Sequence, residues 1–187
     1  MKFSKREILD LIKAWFVISL AFAVLYQDSM RLGYLSLFIV CLFTVGLGFL
    51  LHELAHKSVA ERYGFFAEFV SFDFMLFIAL IGSLFGFIFA APGAVFIHGN
   101  ISKKKNGIIS VAGPIMNIIL AIIFFVMLKI NLFNDFSDIG FRINSYLALF
   151  NMLPIFMLDG QKVWSWNKGI FFVIIGISVI LMLLQFI

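Results

Sequence analysis

Three stretches of this chain, residues 33–51, 108–128 and 169–187, run without a single charged side chain. A transmembrane helix needs about 20 consecutive apolar residues, whereas a soluble helix needs only an apolar stripe facing its core. Of the 187 residues, 63% are hydrophobic and 13% charged, which is far from the composition of a soluble domain. Twenty-six Phe against three Pro speak for long apolar helices rather than disorder. The fold class expected is an all-α polytopic membrane protein, one domain over residues 1–187 with no room for an appended soluble module.

Five spans are expected, over residues 8–26, 33–63, 108–128, 143–158 and 169–187. Lys2, Lys5 and Arg6 precede the first, and Ala21-Phe22-Ala23 has the outline of a signal-peptide cleavage site. Those small residues lie within the apolar run rather than after it, so the reading is an uncleaved first span. Asp10 and Lys13 sit close enough to its end to reach the interface. Residues 74–91 are also uncharged, yet Gly82, Ser83 and Gly86 interrupt them and Pro92-Gly93 follows. Such a segment can re-enter rather than cross, where protein or water satisfies its backbone.

Charge distribution favours re-entry, because cytoplasmic loops carry the excess of Lys and Arg. With a cytoplasmic N-terminus and no crossing at 74–91, Lys57, Arg62, Lys103, Lys104, Lys105, Lys162 and Lys168 all fall inside. Asp28, Arg31, Lys129, Asp135, Asp138 and Arg142 are left outside, nearly balanced. The net charge of +4 is therefore a loop signal. No basic surface carries interleaved readers, so nucleic acid is not an expected partner. Cys41 stands alone and forms no intramolecular disulfide.

The second apolar run ends in His52-Glu53-Leu54-Ala55-His56. Residues i and i+4 share a helix face, so both imidazoles can reach one point. This is the H-E-x-x-H spacing, in which two His bind zinc and the Glu is a general base. Zinc lowers the pKa of a bound water to about 7, and Glu53 would take its proton and pass it to a leaving amine. Alone the pattern is also met by a solvated His pair. At the end of an uninterrupted apolar run, ionisable residues mark function.

Catalytic zinc takes three protein ligands. Glu7, Asp10, Asp28, Glu61, Glu68, Asp73, Asp135 and Asp138 lie in loop or interfacial positions, and His98 lies in a Gly-flanked loop. Asp159 differs. The apolar run leading to it starts after Arg142, as the run leading to His52 starts after Arg31. At about 1.5 Å per residue, each site lies roughly 25–30 Å from that charge. The two share a depth if their helices run the same way, which the non-crossing topology provides. Pro154 breaks the helix before Asp159, and Gly160 follows it. Asn151, two turns earlier, could donate to a developing oxyanion; a bond between helices accounts for it equally well. In the third span, Gly113, Pro114 and Asn117 suit close helix packing around the site rather than ligation.

The ordered set H-E-x-x-H (His52 to His56), A-G-P-x-x-N (Ala112 to Asn117) and N-x-x-P-x-x-x-L-D-G (Asn151 to Gly160) resembles the site-2 protease family of intramembrane zinc metalloproteases, peptidase family M50. The resemblance covers residues 32–160. It implies one Zn2+ held by His52, His56 and Asp159, Glu53 as catalytic acid and base, and Asn151 as a polar helper. It further implies a membrane-associated β-hairpin or sheet between the first two core spans, which fits residues 91–107 and a substrate-aligning role by strand addition. The implied activity is cleavage of a transmembrane protein substrate within the lipid bilayer, near the cytoplasmic side of the cell membrane. Neither a PDZ nor a CBS module accompanies it. Two alternatives are a divalent-metal permease and an inactive paralogue that binds membrane substrates. A permeation path needs ligands at successive depths or an inverted repeat, and intact Glu53 argues against inactivity.

Overall fold

The computed structural model describes residues 1–27, 32–88, 92–155 and 158–186. Helix α1 (Lys5–Tyr26) starts where Ser4 Oγ accepts the Glu7 amide at 3.0 Å, satisfying one of the free N–H groups of a first turn. Helix α2 (Tyr34–Cys41) passes through a π-helical turn, Leu42–Gly46, into α3 (Leu47–Arg62). Then come β1 (Phe66–Ser71), α4 (Asp73–Leu84), β2 (Gly93–His98), α5 (Lys103–Lys129), α6 (Asn134–Asn151), α7 (Asp159–Trp166) and α8 (Lys168–Leu183).

Among the described residues, four helical stretches are long and apolar enough to cross a membrane: Lys5–Tyr26, Tyr34–Arg62, Lys103–Lys129 and Lys168–Phe186. They coincide with four of the five expected spans. The remaining one, residues 143–158, is not a single helix. Instead α6 runs Asn134–Asn151 and stops short of Pro154. Proline lacks an N–H and biases the residue before it away from the α conformation. At its other end α6 extends back through Arg142 and Asp138, whose side chains pair at 2.8 Å one turn apart. That i,i+4 pair lets the helix continue where its apolar run ends.

The insertion is a two-stranded sheet whose first strand lies outside the expected residues 91–107. Residues 93–98 pair not with their sequence neighbours but with β1, antiparallel, Phe66 opposite His98 and Ser71 opposite Gly93. Gly99, at φ +128, ends β2, and Ser102 caps α5. Between the strands lies α4, 12 residues and about 18 Å long, short of the ~30 Å hydrocarbon core. It closes at Gly86, φ +82, a left-handed conformation that glycine adopts without strain. Because Ser71 and Gly93 are register partners, the chain returns beside the point where it left. The end of the expected re-entrant segment, residues 89–91, and the loop charges Asp28 and Arg31 lie outside the described residues.

Side-chain pairs fix the helix directions. Asn117 of α5 meets Gly48 of α3 while Ile109 meets His56, so these helices are antiparallel. Asn117 also meets Asn144 of α6, and Gly140 lies directly against Phe124, so α5 and α6 are antiparallel too. It follows that α3 and α6 run the same way, as a shared depth for His52 and Asp159 requires.

The acids of α1 are buried and paired within the protein. Glu7 is buried, takes Lys57 Nζ at 2.6 Å on each oxygen, and accepts the Phe69 amide at 3.0 Å. Asp10 accepts from Ser71 Oγ at 2.9 Å, and Lys13 bridges Asp10 and Asp73. Lys57, which its sequence position assigns to the cytoplasmic side, is 1% exposed and paired within the protein. A charge so deep is tolerated only when paired and hydrogen-bonded.

Candidate metal centre

Helix α3 presents His52 and His56 one turn apart, and both Nδ1 atoms are spoken for. His56 Nδ1 lies 2.8 Å from the Ile109 carbonyl, which can only accept. His52 Nδ1 lies 2.6 Å from Asn117 Oδ1. The Asn117 amide orientation follows from its other bonds: Nδ2 donates to Gly48 O at 3.2 Å and to Asn144 Oδ1 at 3.0 Å. Asn144 in turn donates to Gly140 O at 2.9 Å. Both imidazoles thus carry their proton on Nδ1 and turn a lone pair on Nε2 toward the site, an arrangement that fixes tautomer and ring together.

Those two Nε2 atoms are 3.0 Å apart, and Asp159 Oδ2 lies 3.3 Å from the first and 3.0 Å from the second. All three residues are buried. Two lone pairs and a carboxylate oxygen converge on one point with no proton to share between the imidazoles. A cation relieves that crowding. At Zn–N distances of about 2.0–2.1 Å, tetrahedral ligands lie roughly 3.3–3.4 Å from one another, and the observed triangle is within a few tenths of that spacing. The donor set fits zinc, with two His, one carboxylate and a fourth position left over.

Three small residues make the convergence possible. A Cβ on Gly113 of α5 would overlap Nε2 of both His52 and His56, so only glycine leaves room there. A Cβ on Gly160 would overlap the Met152 and Leu153 carbonyls, so glycine lets α7 begin tight against the end of α6 and delivers Asp159. Gly48 lets Asn144 approach α3. Lys162 holds the other Asp159 oxygen at 3.5 Å.

The remaining expected site residues divide. Glu53 is buried on α3 beside His52, with its carboxylate toward the Val95 amide of β2. Asn151 is half-buried and donates Nδ2 to Leu147 O of its own helix at 3.0 Å. Among the described residues no hydrogen bond joins it to the donor triangle. His98 sits exposed at the end of β2 against Phe66, away from the triangle. Asn144 and the Ile109 carbonyl are absent from the sequence reading. Asn144 had a signal, since Gly140, Asn144 and Ala148 form an i,i+4 line of small and polar residues on α6.

Fold and site define a class: a helical protein with bilayer-length apolar helices around a buried His–His–Asp centre. Comparison with known proteins narrows it. The chain is 41% identical over 185 residues to a Methanocaldococcus jannaschii protein named Putative zinc metalloprotease MJ0611, covering 96% of this chain and 93% of that one. It is 29% identical over 153 residues to Putative zinc metalloprotease YwhC of Bacillus subtilis, 69% of each chain. It is 28% identical over 120 residues to Zinc metalloprotease MJ0392 of M. jannaschii, spanning 60% of this chain and 30% of that protein. No protein-family model matches the chain, and no solved structure matches it. The chain belongs to the zinc metalloprotease family of these relatives, and its cofactor is Zn2+.

Proposed function

We propose that this metalloprotease is an intramembrane endopeptidase of the site-2 protease type. It hydrolyses a peptide bond in or near a substrate's transmembrane helix, close to the cytoplasmic side. The observation that carries this reading is the burial of the donor triangle among helices long and apolar enough to cross a bilayer. His52 and His56 would hold the metal through Nε2, and Asp159 through its carboxylate. Bound there, zinc supplies a Lewis acid and a nucleophile, lowering the pKa of water to about 7. Glu53 takes the proton from the attacking water and returns it to the leaving amine. Asn151 would serve the substrate carbonyl, exchanging its present bond to Leu147 for one to the oxyanion.

A helical peptide bond is shielded, so the substrate must arrive unwound. Backbone alternation in the ribbon suggests where. Phe69 N–H goes to Glu7, and Phe72 N–H goes to Pro92 O. Even-numbered residues of β1 therefore pair across the ribbon, and odd-numbered residues point outward. Glu7 and Asp10 of α1 occupy the outer edge of β1. On β2 the outward residues include Val95, on the Glu53 side, and Ile97. That edge is suited to strand addition by an extended substrate. In this reading α4 re-enters without crossing. The protein is a multi-pass protein of the cell membrane with a cytoplasmic N-terminus, on the strength of Lys103, Lys104, Lys105, Lys162 and Lys168.

The test is to reconstitute the zinc-loaded protein in lipid vesicles with single-span substrates and map the cut by mass spectrometry. Scission within or at the cytoplasmic end of the span is expected. Cuts confined to water-exposed flanks would contradict the intramembrane assignment.

A further inference from the structure

Leu37, Cys41, Val45 and Phe49 recur at every fourth position of the second span, and all are buried in the cluster around α1. In an α-helix a step of four overshoots a full turn by about 40°, and three steps by about 120°. In an unbroken α-helix the four residues would drift across about a third of the circumference. The π turn at Leu42–Gly46 removes most of that drift, since one extra residue in the turn takes back about 100°.

That turn is held by α1. Trp15 Nε1 donates to Leu42 O at 2.9 Å, the same carbonyl that receives the Leu47 amide. Ser19 Oγ donates to Trp15 O at 2.7 Å. A Cβ on Gly46 would overlap both the Trp15 ring and Ser19 Oγ. The next buried positions along the helix are Gly48, Phe49, His52, Glu53, His56 and Lys57. Whether the imidazoles face Asp159 therefore depends on the rotation that this turn sets. π turns of this kind recur at functional sites.

We propose that Trp15 is a positioning residue of the metal centre. By bonding Leu42 O and filling the space over Gly46, it holds the π turn whose extra residue sets the rotational phase of His52, Glu53 and His56. Among the described residues, no hydrogen bond or ring contact joins Trp15 to His52, His56 or Asp159.

Three variants of the full chain test this by zinc affinity, measured by competition with a chelator, and by the thermal midpoint of the zinc-free protein. Trp15→Phe keeps the ring but loses the N–H. It is expected to weaken zinc binding about tenfold, at the low end of the 10–100-fold cost of losing an orienting partner, with the midpoint unchanged. Phe43 meets the Trp15 ring edge-on at 6.5 Å, so the neutral control is taken outside the turn: Leu35 is 72% exposed on α2, and Leu35→Ala should bind zinc like wild type. Deleting Phe43 removes the extra residue and should abolish stoichiometric zinc while the helices still insert. Wild-type affinity in the deletion variant would overturn the proposal. So would a lowered midpoint in Trp15→Phe with unchanged affinity, which is the signature of packing alone.

Discussion

At the scale of single residues, the metal centre is decided by where protons sit. His56 has no choice of tautomer, because the Ile109 carbonyl can only accept. His52 inherits its tautomer from a relay, Gly140 O to Asn144 to Asn117, each amide oriented by the next. Asn117 is therefore more than packing. Its Oδ1 fixes the ring and its tautomer, so that Nε2 faces the site with its lone pair. Asn117→Ala should weaken zinc binding roughly 10–100-fold, measured by chelator competition on the purified protein. Unchanged affinity would mean that helix geometry alone orients His52. Gly113 belongs to the same scale, because any side chain there would stand where both ligand nitrogens already are.

At the scale of elements, helix α3, which carries His52, Glu53 and His56, is held by the helix before it and the ribbon after it. The junction is Glu7, which joins α1 to Lys57 of α3 and to the Phe69 amide of β1. Removing one partner of a buried ion pair leaves the other charge uncompensated, at a cost of about 3–5 kcal/mol. Lys57→Met should therefore lower the thermal midpoint strongly, and Glu7→Gln combined with Lys57→Met should recover most of the loss. A single variant as stable as wild type would show that water reaches the pair. These elements also separate what the sequence discloses from what it hides. The apolar runs and the His52, His56 and Asp159 set are readable, because helix period and ligand spacing are local. The β1–β2 pairing and the burial of Lys57 are not. Each depends on a partner distant in sequence, Gly93–His98 for β1 and Glu7 for Lys57.

At the scale of the whole molecule, no single element owns the site. Helix α3 gives two His and Glu53, α7 gives Asp159, and α5 and α6 give the orienting amides and the glycine that makes room. This division explains why the break at Pro154 matters. It ends α6 so that α7 can restart with Asp159 against α3, which a continuous helix over 143–158 would not permit. Among the described residues, four helices of this same chain are long and apolar enough to cross a bilayer. The most direct test of this account is Glu53→Gln, reconstituted with a transmembrane substrate, with zinc content and cleavage rate measured on the same preparation. Stoichiometric zinc with cleavage reduced at least ~10²–10⁴-fold is expected, the usual contribution of a general acid–base group. Cleavage at the wild-type rate with zinc retained would contradict it.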